Sequence, residues 1–248
     1  MSEVTKLFPL NLRMLAKMTG GNLLRGNPTS PILGATYGRI KYMKAGVAFF
    51  IRLSESVPNQ LKAMQSQKSA VIVTSRTLSP KIPSHHAVIV VSNPYHAYWR
   101  LAKWQRAKSK AFFIGITGSA GKTTTKEMLA SVLMRRYPTL KSYGNMNVFE
   151  SLPSHLMRLN GRHRMAVLEM GMASFGNIRA QCSVVRPRLG IVTNVGEAHA
   201  GKLGNSLAGV VRAKQELIDG VVPGGILFLN ADDKGTNKLN TSNFRGKI

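Results

Sequence analysis

The sequence predicts an α/β protein of two consecutive domains: a small one over residues 1–108, and a second over residues 109–248 with a mainly parallel sheet. Short apolar runs typical of buried strands alternate with helical patterns along most of the 248 residues. A glycine-rich turn at residues 115–121 joins one such strand to a helix. A basic helical stretch, residues 94–110, comes before this turn, and it places the expected domain boundary near Lys108.

The first domain is expected to alternate strands and helices. Asn11 to Met18 has a helical pattern, which the following Thr-Gly-Gly would end. The other expected elements are a strand over residues 45–51, a helix over 57–67, a strand over 70–74 and a strand over 87–91. This order favours a small α/β unit.

The stretch over residues 94–110 predicts a helix that is both basic and aromatic. Tyr98, Leu101 and Gln105 share one face of it, and four basic residues lie around them. A nucleic-acid-binding protein could use basic and aromatic residues in this way. We favour the other interpretation, an amphipathic connector whose aromatic rings pack on a domain and whose charges are solvated.

The glycine-rich turn has the three parts of a phosphate-binding site: a buried strand, a turn and the start of a helix. Glycine allows the backbone to approach an anion closely, and a helix N-terminus directs unpaired N–H groups at it. Lys122 would reach the terminal phosphates of a nucleotide, and the Thr123 hydroxyl would hold Mg²⁺. The turn is a short variant of the P-loop pattern, because Ile116 stands where that pattern has its first glycine. The nucleotide-binding residues expected here are Gly118, Ser119, Ala120, Gly121, Lys122, Thr123 and Thr124.

The rest of the second domain places polar residues after predicted strands. Residues 141–153 form a polar loop that contains Asn145 and Asn147 as candidate phosphate or substrate contacts. A strand over residues 165–168 leads to Glu169, where a carboxylate is well placed to take Mg²⁺, because ligands of open α/β sheets lie beyond the carboxyl ends of strands. A strand over residues 189–193 is followed by His199 as a candidate metal ligand. Further expected elements are helices over residues 152–159 and 206–220 and a strand over 225–229 that ends at Asn230.

Composition excludes several classes of protein. The single Cys182 excludes an intramolecular disulfide and a cysteine-rich metal site, and it is expected to be a small buried residue. No apolar run reaches the length of a membrane span, and we expect a cytoplasmic protein without an export signal. With 35 Lys and Arg against 10 Asp and Glu, the net charge is +25. The basic residues are spread along the chain without a nucleic-acid-binding motif, so nucleic acid is the least favoured partner.

Five motifs follow one another in the second domain. They are GITGSAGKTTTKEML at 115–129, GNMNVFESLP at 144–153, AVLEMGM at 166–172, RPRLGIVTNVGEAHAGKLGNSLAGVVRAKQELIDG at 186–220 and LFLNADD at 227–233. In this order they resemble the Mur ligase family, the ATP-dependent amide-forming enzymes of peptidoglycan synthesis. Residues 40–110 resemble, more weakly, the family's N-terminal domain, which grips the UDP part of the substrate.

The resemblance implies a role for each candidate residue. Lys122 would be catalytic, Glu169 would hold Mg²⁺, and His199 would serve a second metal site as well as catalysis. Lys214 matches a catalytic lysine that many members carbamylate, although without the resemblance it would be taken as a solvated helix lysine. The loop with Asn145 and Asn147 would lie near the γ-phosphate and the acceptor carboxylate, and Asn230 would lie near the adenine.

The resemblance also implies the reaction, the cofactors and the substrates. A substrate carboxylate would attack the γ-phosphate of ATP, in the presence of Mg²⁺, and an amine would then displace phosphate from the acyl phosphate. The substrates would be a UDP-linked muramoyl peptide and a dipeptide or amino-acid amine. Family members continue beyond the part that residues 109–248 match, so that part would be an incomplete middle domain, and a separate C-terminal domain could be a partner. Two alternatives are a related ligase with a different acceptor and a nucleotide-binding remnant without catalysis.

Overall fold

Two five-stranded sheets, one in each half of the chain, organise the computed structural model, which describes residues 7–197, 201, 203–204 and 206–248. The chain divides into two units. The first is Met1–Ser109 together with Leu156–Gly161, and the second is Lys110–His155 together with Arg162–Ile248. Within the described residues, no helix is both long enough and apolar enough to cross a membrane.

The sheet of the first unit has the strand order β1-β5-β4-β3-β2. Strands β2 to β5 run parallel to one another, and β1 pairs antiparallel with β5. The elements are α1 Leu12–Thr19, β1 Asn22–Arg25, β2 Gly34–Tyr37, β3 Val47–Phe50, α2 Val57–Ser66, β4 Val71–Thr74, β5 Ala87–Val90 and α3 Pro94–Lys108. The expected helices and the three expected strands are confirmed, whereas β1 and β2 were not predicted, because each is only four residues long and lacks a continuous apolar run.

The helix α3 packs its aromatic face into the first unit. Tyr98, Leu101 and Gln105 are all buried, which confirms the predicted face, and Trp99 is buried beside them. The side chain of Gln105 donates a hydrogen bond of 3.0 Å to the carbonyl oxygen of Leu159, a residue of the short segment that joins this unit from later in the chain. Because these rings are inside the unit, they are not available to stack on nucleic-acid bases.

The sheet of the second unit is entirely parallel, with the order β10-β9-β6-β8-β7. Its elements are β6 Phe112–Thr117, α4 Lys122–Met134, β7 Thr139–Lys141, α5 Leu152–Leu156, β8 Met165–Glu169, α6 Asn177–Val185, β9 Leu189–Val192, α7 Leu207–Gly220 and β10 Ile226–Leu229. The helix expected over residues 152–159 is shorter than predicted, β7 lies at the start of the expected loop, and α6 was not predicted. Because β6 is central and all strands are parallel, the residues that follow β6, β8 and β9 meet at one edge.

The helix α4 buries a side that contains a lysine. Met128, Leu129, Val132 and Leu133 share one side of its sequence pattern, but Met128 and Val132 are about two-thirds exposed, at 65% and 66%. The line that faces the sheet instead contains Lys126 and Ala130, both fully buried, with Leu129 and Leu133 packed against the core beside Ala130. A lysine therefore occupies a position that a pattern of apolar residues cannot reveal.

A buried carboxylate on α7 joins two helices on the other side of this sheet. Glu216 is 3% exposed, and its two oxygens accept hydrogen bonds from the backbone N–H groups of Gly176, at 2.6 Å, and Arg179, at 3.0 Å. These donors belong to the first turn of α6, which has no side-chain cap of its own. Glu216 therefore caps α6 from a neighbouring helix.

Replacing Glu216 with glutamine should lower the free energy of unfolding by about 1–3 kcal/mol, because one buried backbone donor would lose its acceptor. Urea denaturation of the chain would measure this loss. The control is Asp232→Asn, the same chemical change at an exposed residue, which should change the stability by less than about 0.5 kcal/mol. Equal stabilities of the two variants would contradict the capping role.

Candidate phosphate-binding site

The turn after β6 leads into the start of α4, which has no side-chain cap. Gly118 has φ +156°, and a Cβ there would lie 1.8 Å from Oγ1 of Thr193, so only glycine fits. Gly121 has φ +77° and stands at the N-cap of α4, where it has no side chain with which to cap the helix. The first N–H groups of α4 are therefore available to an anion. We call residues 117–123 the phosphate loop.

Asn194, which follows β9, fixes the shape of the phosphate loop. Its Oδ1 accepts hydrogen bonds from the backbone N–H groups of Ser119, at 3.1 Å, and Ala120, at 2.9 Å, while its Nδ2 donates to the carbonyl oxygen of Ala120 at 3.2 Å. The hydroxyl of Ser119 also exchanges hydrogen bonds with the backbone of Gly196. Its position after a strand is the only feature of the sequence that points to Asn194. This side chain holds the loop in place.

Lys122, the first residue of α4, directs its ammonium group back over the loop. Its Nζ donates to the carbonyl oxygen of Gly118 at 2.7 Å and, more weakly, to that of Ser119 at 3.4 Å. Burial lowers the pKa of Lys122, and the nearby carboxylate of Glu169 partly opposes this effect. The loop thus holds a partly desolvated positive charge where the phosphates of a nucleotide would lie.

Three of the predicted site residues meet beside the loop. Oγ1 of Thr123 donates a hydrogen bond of 2.8 Å to Oε2 of Glu169, and Nδ2 of Asn147 donates one of 2.8 Å to Oε1 of the same carboxylate. Glu169 is 4% exposed and ends β8, the strand next to β6. The backbone of Asn147 is also held, because its carbonyl oxygen accepts from the N–H of Gly171 at 2.8 Å. The loop at residues 141–153 therefore delivers one of its two candidate asparagines to the carboxylate.

A fully buried lysine of α4, Lys126, holds this cluster in place. Nζ of Lys126 donates to the carbonyl oxygen of Gly144 at 2.5 Å and lies 3.0 Å from Oε1 of Glu127 and 4.0 Å from Oε2 of Glu169. Glu127 also pairs with Lys141. Lys126 therefore ties the loop that carries Asn147 to α4 and places a positive charge behind Glu169. Sequence reasoning missed this residue, since a lysine in a helix is ordinarily solvated.

Replacing Lys126 with methionine should lower the free energy of unfolding by on the order of 3 kcal/mol, because it removes one of the positive charges near the buried Glu169 and leaves the carbonyl oxygen of Gly144 without its donor. Lys141→Met is a matched control, since it removes the other lysine that pairs with Glu127. It should cost less than about 1 kcal/mol, because that pair is partly exposed. Urea denaturation and amide hydrogen exchange of Gly171 would show the difference, and equal losses in the two variants would contradict the role of Lys126.

Lys214 is buried in the second unit rather than solvated. It lies on α7, is 1% exposed, and has a pKa lowered to about 7, first by burial and second by the positive charge of Lys122. At neutral pH a substantial fraction of Lys214 is therefore an uncharged amine.

Three of the remaining predicted site residues are exposed. Asn145 and Thr124 are exposed. Asn230 is exposed after β10, where its side chain donates to the carbonyl oxygen of Thr193 at 3.1 Å and accepts from the N–H of Asp232. His199 lies outside the described residues. Cys182 is buried, as predicted, and burial is the main cause that raises its pKa to about 12.

The oxygen groups at the loop fit Mg²⁺ bound together with a phosphate better than a metal held by protein alone. No three His, Cys, Asp or Glu residues within the described parts of the chain lie close enough to form a metal site. Thr123 and Glu169 provide a hydroxyl and a carboxylate, and Mg²⁺ commonly takes one or two such ligands while waters and substrate phosphates complete its octahedron.

A parallel sheet, a phosphate loop after its central strand and a carboxylate at the end of the neighbouring strand define the P-loop class of α/β proteins. Comparison with known families then identifies the group within this class. Residues 116–247, which are more than half of the chain, match the Mur ligase middle domain. The chain belongs to the Mur ligase family.

Relatives with established names agree with this assignment. The UDP-N-acetylmuramoyl-tripeptide–D-alanyl-D-alanine ligase of Bacillus subtilis is 37% identical over 164 residues, which are 66% of this chain and 35% of the relative. The chain therefore spans about a third of the length of the curated relatives that it matches. Among solved structures, MurF of Acinetobacter baumannii has a TM-score of 0.81 and 29% identity, over 94% of this chain and 51% of that protein. MurF of Thermotoga maritima, solved in complex with ADP, has a TM-score of 0.69 and 25% identity, over 86% of this chain and 49% of that protein.

Proposed function

We propose that the second unit of this chain is the ATP-binding part of a MurF-type ligase and that the first unit belongs to its substrate-binding part. The reaction would be the ATP-dependent addition of D-alanyl-D-alanine to UDP-N-acetylmuramoyl-tripeptide in the cytoplasm. The observation that carries the proposal is the meeting of Thr123, Asn147 and Glu169 beside the phosphate loop. The names of the relatives and the ADP in one of the similar structures support the choice of substrates and nucleotide.

The reaction would proceed in two displacement steps. A carboxylate oxygen of the UDP-linked tripeptide attacks the γ-phosphorus of ATP, the bond to the bridging oxygen breaks, and an acyl phosphate and ADP result. The amine of D-alanyl-D-alanine then attacks the acyl carbon, phosphate leaves, and the amine loses a proton as the amide forms. Both steps depend more on positioning and charge stabilisation than on covalent participation by the protein.

Each residue of the site has a part in this scheme. The free N–H groups at the start of α4 and the ammonium of Lys122 would bind the β- and γ-phosphates and stabilise the charge on the transferring phosphoryl group. Thr123 and Glu169 would hold Mg²⁺, which would neutralise phosphate charge when bound. Asn147 would orient the Glu169 carboxylate, and its present hydrogen bond to that group already does so.

The largely neutral amine of Lys214 suits the carbamylation that the family resemblance implies. An uncharged amine adds to CO₂ and releases one proton, so a lysine whose pKa is about 7 reacts where an ordinary lysine would stay protonated. The product would be a carboxylate carried by α7. We propose that the carbamylated Lys214 contributes an oxygen ligand to a second Mg²⁺.

The test is ADP release from MgATP in the presence of UDP-N-acetylmuramoyl-tripeptide and D-alanyl-D-alanine. Because the chain spans about a third of its curated relatives, one sample contains the chain alone and another adds the separately produced C-terminal domain of the Bacillus subtilis relative. We expect binding of ATP in both samples and tripeptide-dependent ADP release in at least one. ATP binding without tripeptide-dependent release in either sample would favour a nucleotide-binding protein without ligase activity, and absence of ATP binding would contradict the proposal altogether.

A further inference from the structure

The net charge of +25 is larger than the candidate site can account for, and the fold gathers part of it in one place. Basic residues lie in the short segments that lead into β6, β7, β8 and β9. Because these strands are parallel neighbours, residues that lie far apart in the sequence meet at the amino edge of the sheet. We call this set the basic edge; its members, all exposed, are Lys110, Arg135, Arg136, Arg164, Arg186 and Arg188.

Backbone hydrogen bonds show how close the strand starts are. The N–H of Phe112 donates to the carbonyl oxygen of Arg164 at 2.8 Å, and the N–H of Arg188 donates to the carbonyl oxygen of Phe113 at 2.9 Å. The N–H of Arg164 donates in turn to the carbonyl oxygen of Pro138 at 2.8 Å, and Pro138 comes shortly after the pair of arginines that follows α4. Neighbouring strands are about 4.8 Å apart, so the members of the basic edge form one continuous row.

The acidic residues of the second unit lie mostly at the opposite edge. Glu150, Glu169, Glu197, Asp232 and Asp233 end or follow strands at their carboxyl ends. The segments that lead into β6, β7, β8 and β9 contain no acidic residue. Within the parts of the chain that the structure describes, no member of the basic edge forms an ion pair. This row of positive charge therefore attracts an extended anionic surface.

The surroundings of the row favour lipid headgroups over nucleic acid. The two aromatic rings at this edge are covered by its own arginines, since the guanidinium of Arg188 lies 5.5 Å from the ring of Phe112 and that of Arg136 lies 5.7 Å from Tyr137. A base would therefore have to compete with a guanidinium for one face of each ring. Exposed apolar side chains, Met134 at 46% and Val132 at 66%, lie instead next to the arginine pair at the end of α4. Basic residues combined with exposed apolar groups are typical of proteins that bind membrane surfaces.

We propose that the basic edge docks the second unit on an anionic phospholipid surface. The phosphate loop and Glu169 lie at the carboxyl ends of the same strands, so a unit docked by its amino edge keeps its candidate site turned towards the solution. This proposal does not depend on the ligase activity, because it concerns the edge that the candidate site does not use.

The experiment is co-sedimentation of the chain with phosphatidylcholine vesicles and with vesicles that also contain phosphatidylglycerol. We expect binding only to the anionic vesicles, weakening as salt is raised. The double variant Arg135→Glu/Arg136→Glu should weaken this binding by at least about tenfold, since each basic residue near an anionic surface contributes to the attraction. The matched control is Lys62→Glu/Lys68→Glu, which makes the same change in net charge at exposed positions of the first unit and should bind nearly as the unchanged chain does.

Three results would overturn the proposal. One is equal loss of binding in both double variants, which would show that total charge and not the basic edge is responsible. Another is no preference for phosphatidylglycerol at physiological salt. The third is a single- or double-stranded RNA that binds through the basic edge and displaces the chain from the vesicles, which would make nucleic acid the partner. Retained ATP binding by both variants would show that they are folded.

Discussion

Replacing Lys122 with alanine should lower the rate of ADP formation by about a hundredfold to a thousandfold, the loss typical of removing one charge-stabilising donor from an active site. Lys122 is held over the phosphate loop by the carbonyl oxygen of Gly118, and its burial makes its charge more effective than that of a surface lysine. The measurement is coupled ADP release, made under the conditions in which the unchanged chain is active.

Two further variants make this result specific. Lys234→Ala removes a lysine that is exposed beyond β10, and it should leave the rate unchanged. Lys122→Arg keeps the positive charge but changes its shape, and it should recover only part of the activity, because the loop accommodates a compact ammonium group. If Lys122→Ala formed ADP at close to the original rate, the proposed role of the phosphate loop would be contradicted.

The parts of the site that the sequence predicted are those whose signals lie in adjacent residues of the chain. The phosphate loop is recognisable because glycine, a preceding apolar strand and a following helix are adjacent in the chain. Glu169 is recognisable because the end of a buried strand is a local feature and, in parallel sheets, a place where ligands bind. For the same reason most strands and helices were predicted to within a few residues, including both helices of the first unit that flank its strands β3 and β5.

The parts that the sequence could not predict depend on contacts between distant segments. Lys126 is buried because the loop after β7 covers it, and nothing in the sequence of α4 itself indicates this contact. Asn194 holds the phosphate loop only because β9 lies next to β6. The basic residues looked evenly distributed along the chain, and only the order of the strands brings six of them to one edge.

The free energy of unfolding should rise with pH between about 7 and 9, and Lys214 should be responsible. Its pKa is about 7 in the folded chain and 10.5 as an ordinary lysine, so between these values the unfolded chain binds a proton that the folded chain does not. Raising the pH weakens the stabilisation that the unfolded chain gains from binding this proton, so the free energy of unfolding increases. Below pH 7 Lys214 is protonated in both states, so the folded chain bears the full free-energy cost of burying a charged lysine. At about 1.4 kcal/mol per pH unit, the contribution from pH 7 to pH 9 is on the order of 3 kcal/mol.

The difference between the chain and its Lys214→Met variant isolates this effect, because all other groups titrate in both. Urea denaturation at several pH values, in buffers free of CO₂, should show the rise in the unchanged chain relative to Lys214→Met. The control Lys103→Met, at an exposed position of α3, should keep the full rise. The range ends at pH 9 because the raised pKa of Cys182 contributes with the opposite sign above its ordinary value of 9.0. If the free energy of unfolding changed with pH in the same way in the unchanged chain and in Lys214→Met, the burial of an uncharged amine would be contradicted.

The same neutral amine allows a direct test of the proposed carbamate. With ¹³C-labelled bicarbonate, the chain should show a carbamate carbonyl resonance that Lys214→Met lacks and Lys103→Met retains. Because carbamate formation consumes the uncharged amine, it should be favoured above pH 7, the pH range in which the stability rises. Addition of bicarbonate should then raise the free energy of unfolding of the unchanged chain but not of Lys214→Met. If stability rises with pH but no labelled resonance is seen, the buried neutral lysine is supported and the carbamate is contradicted.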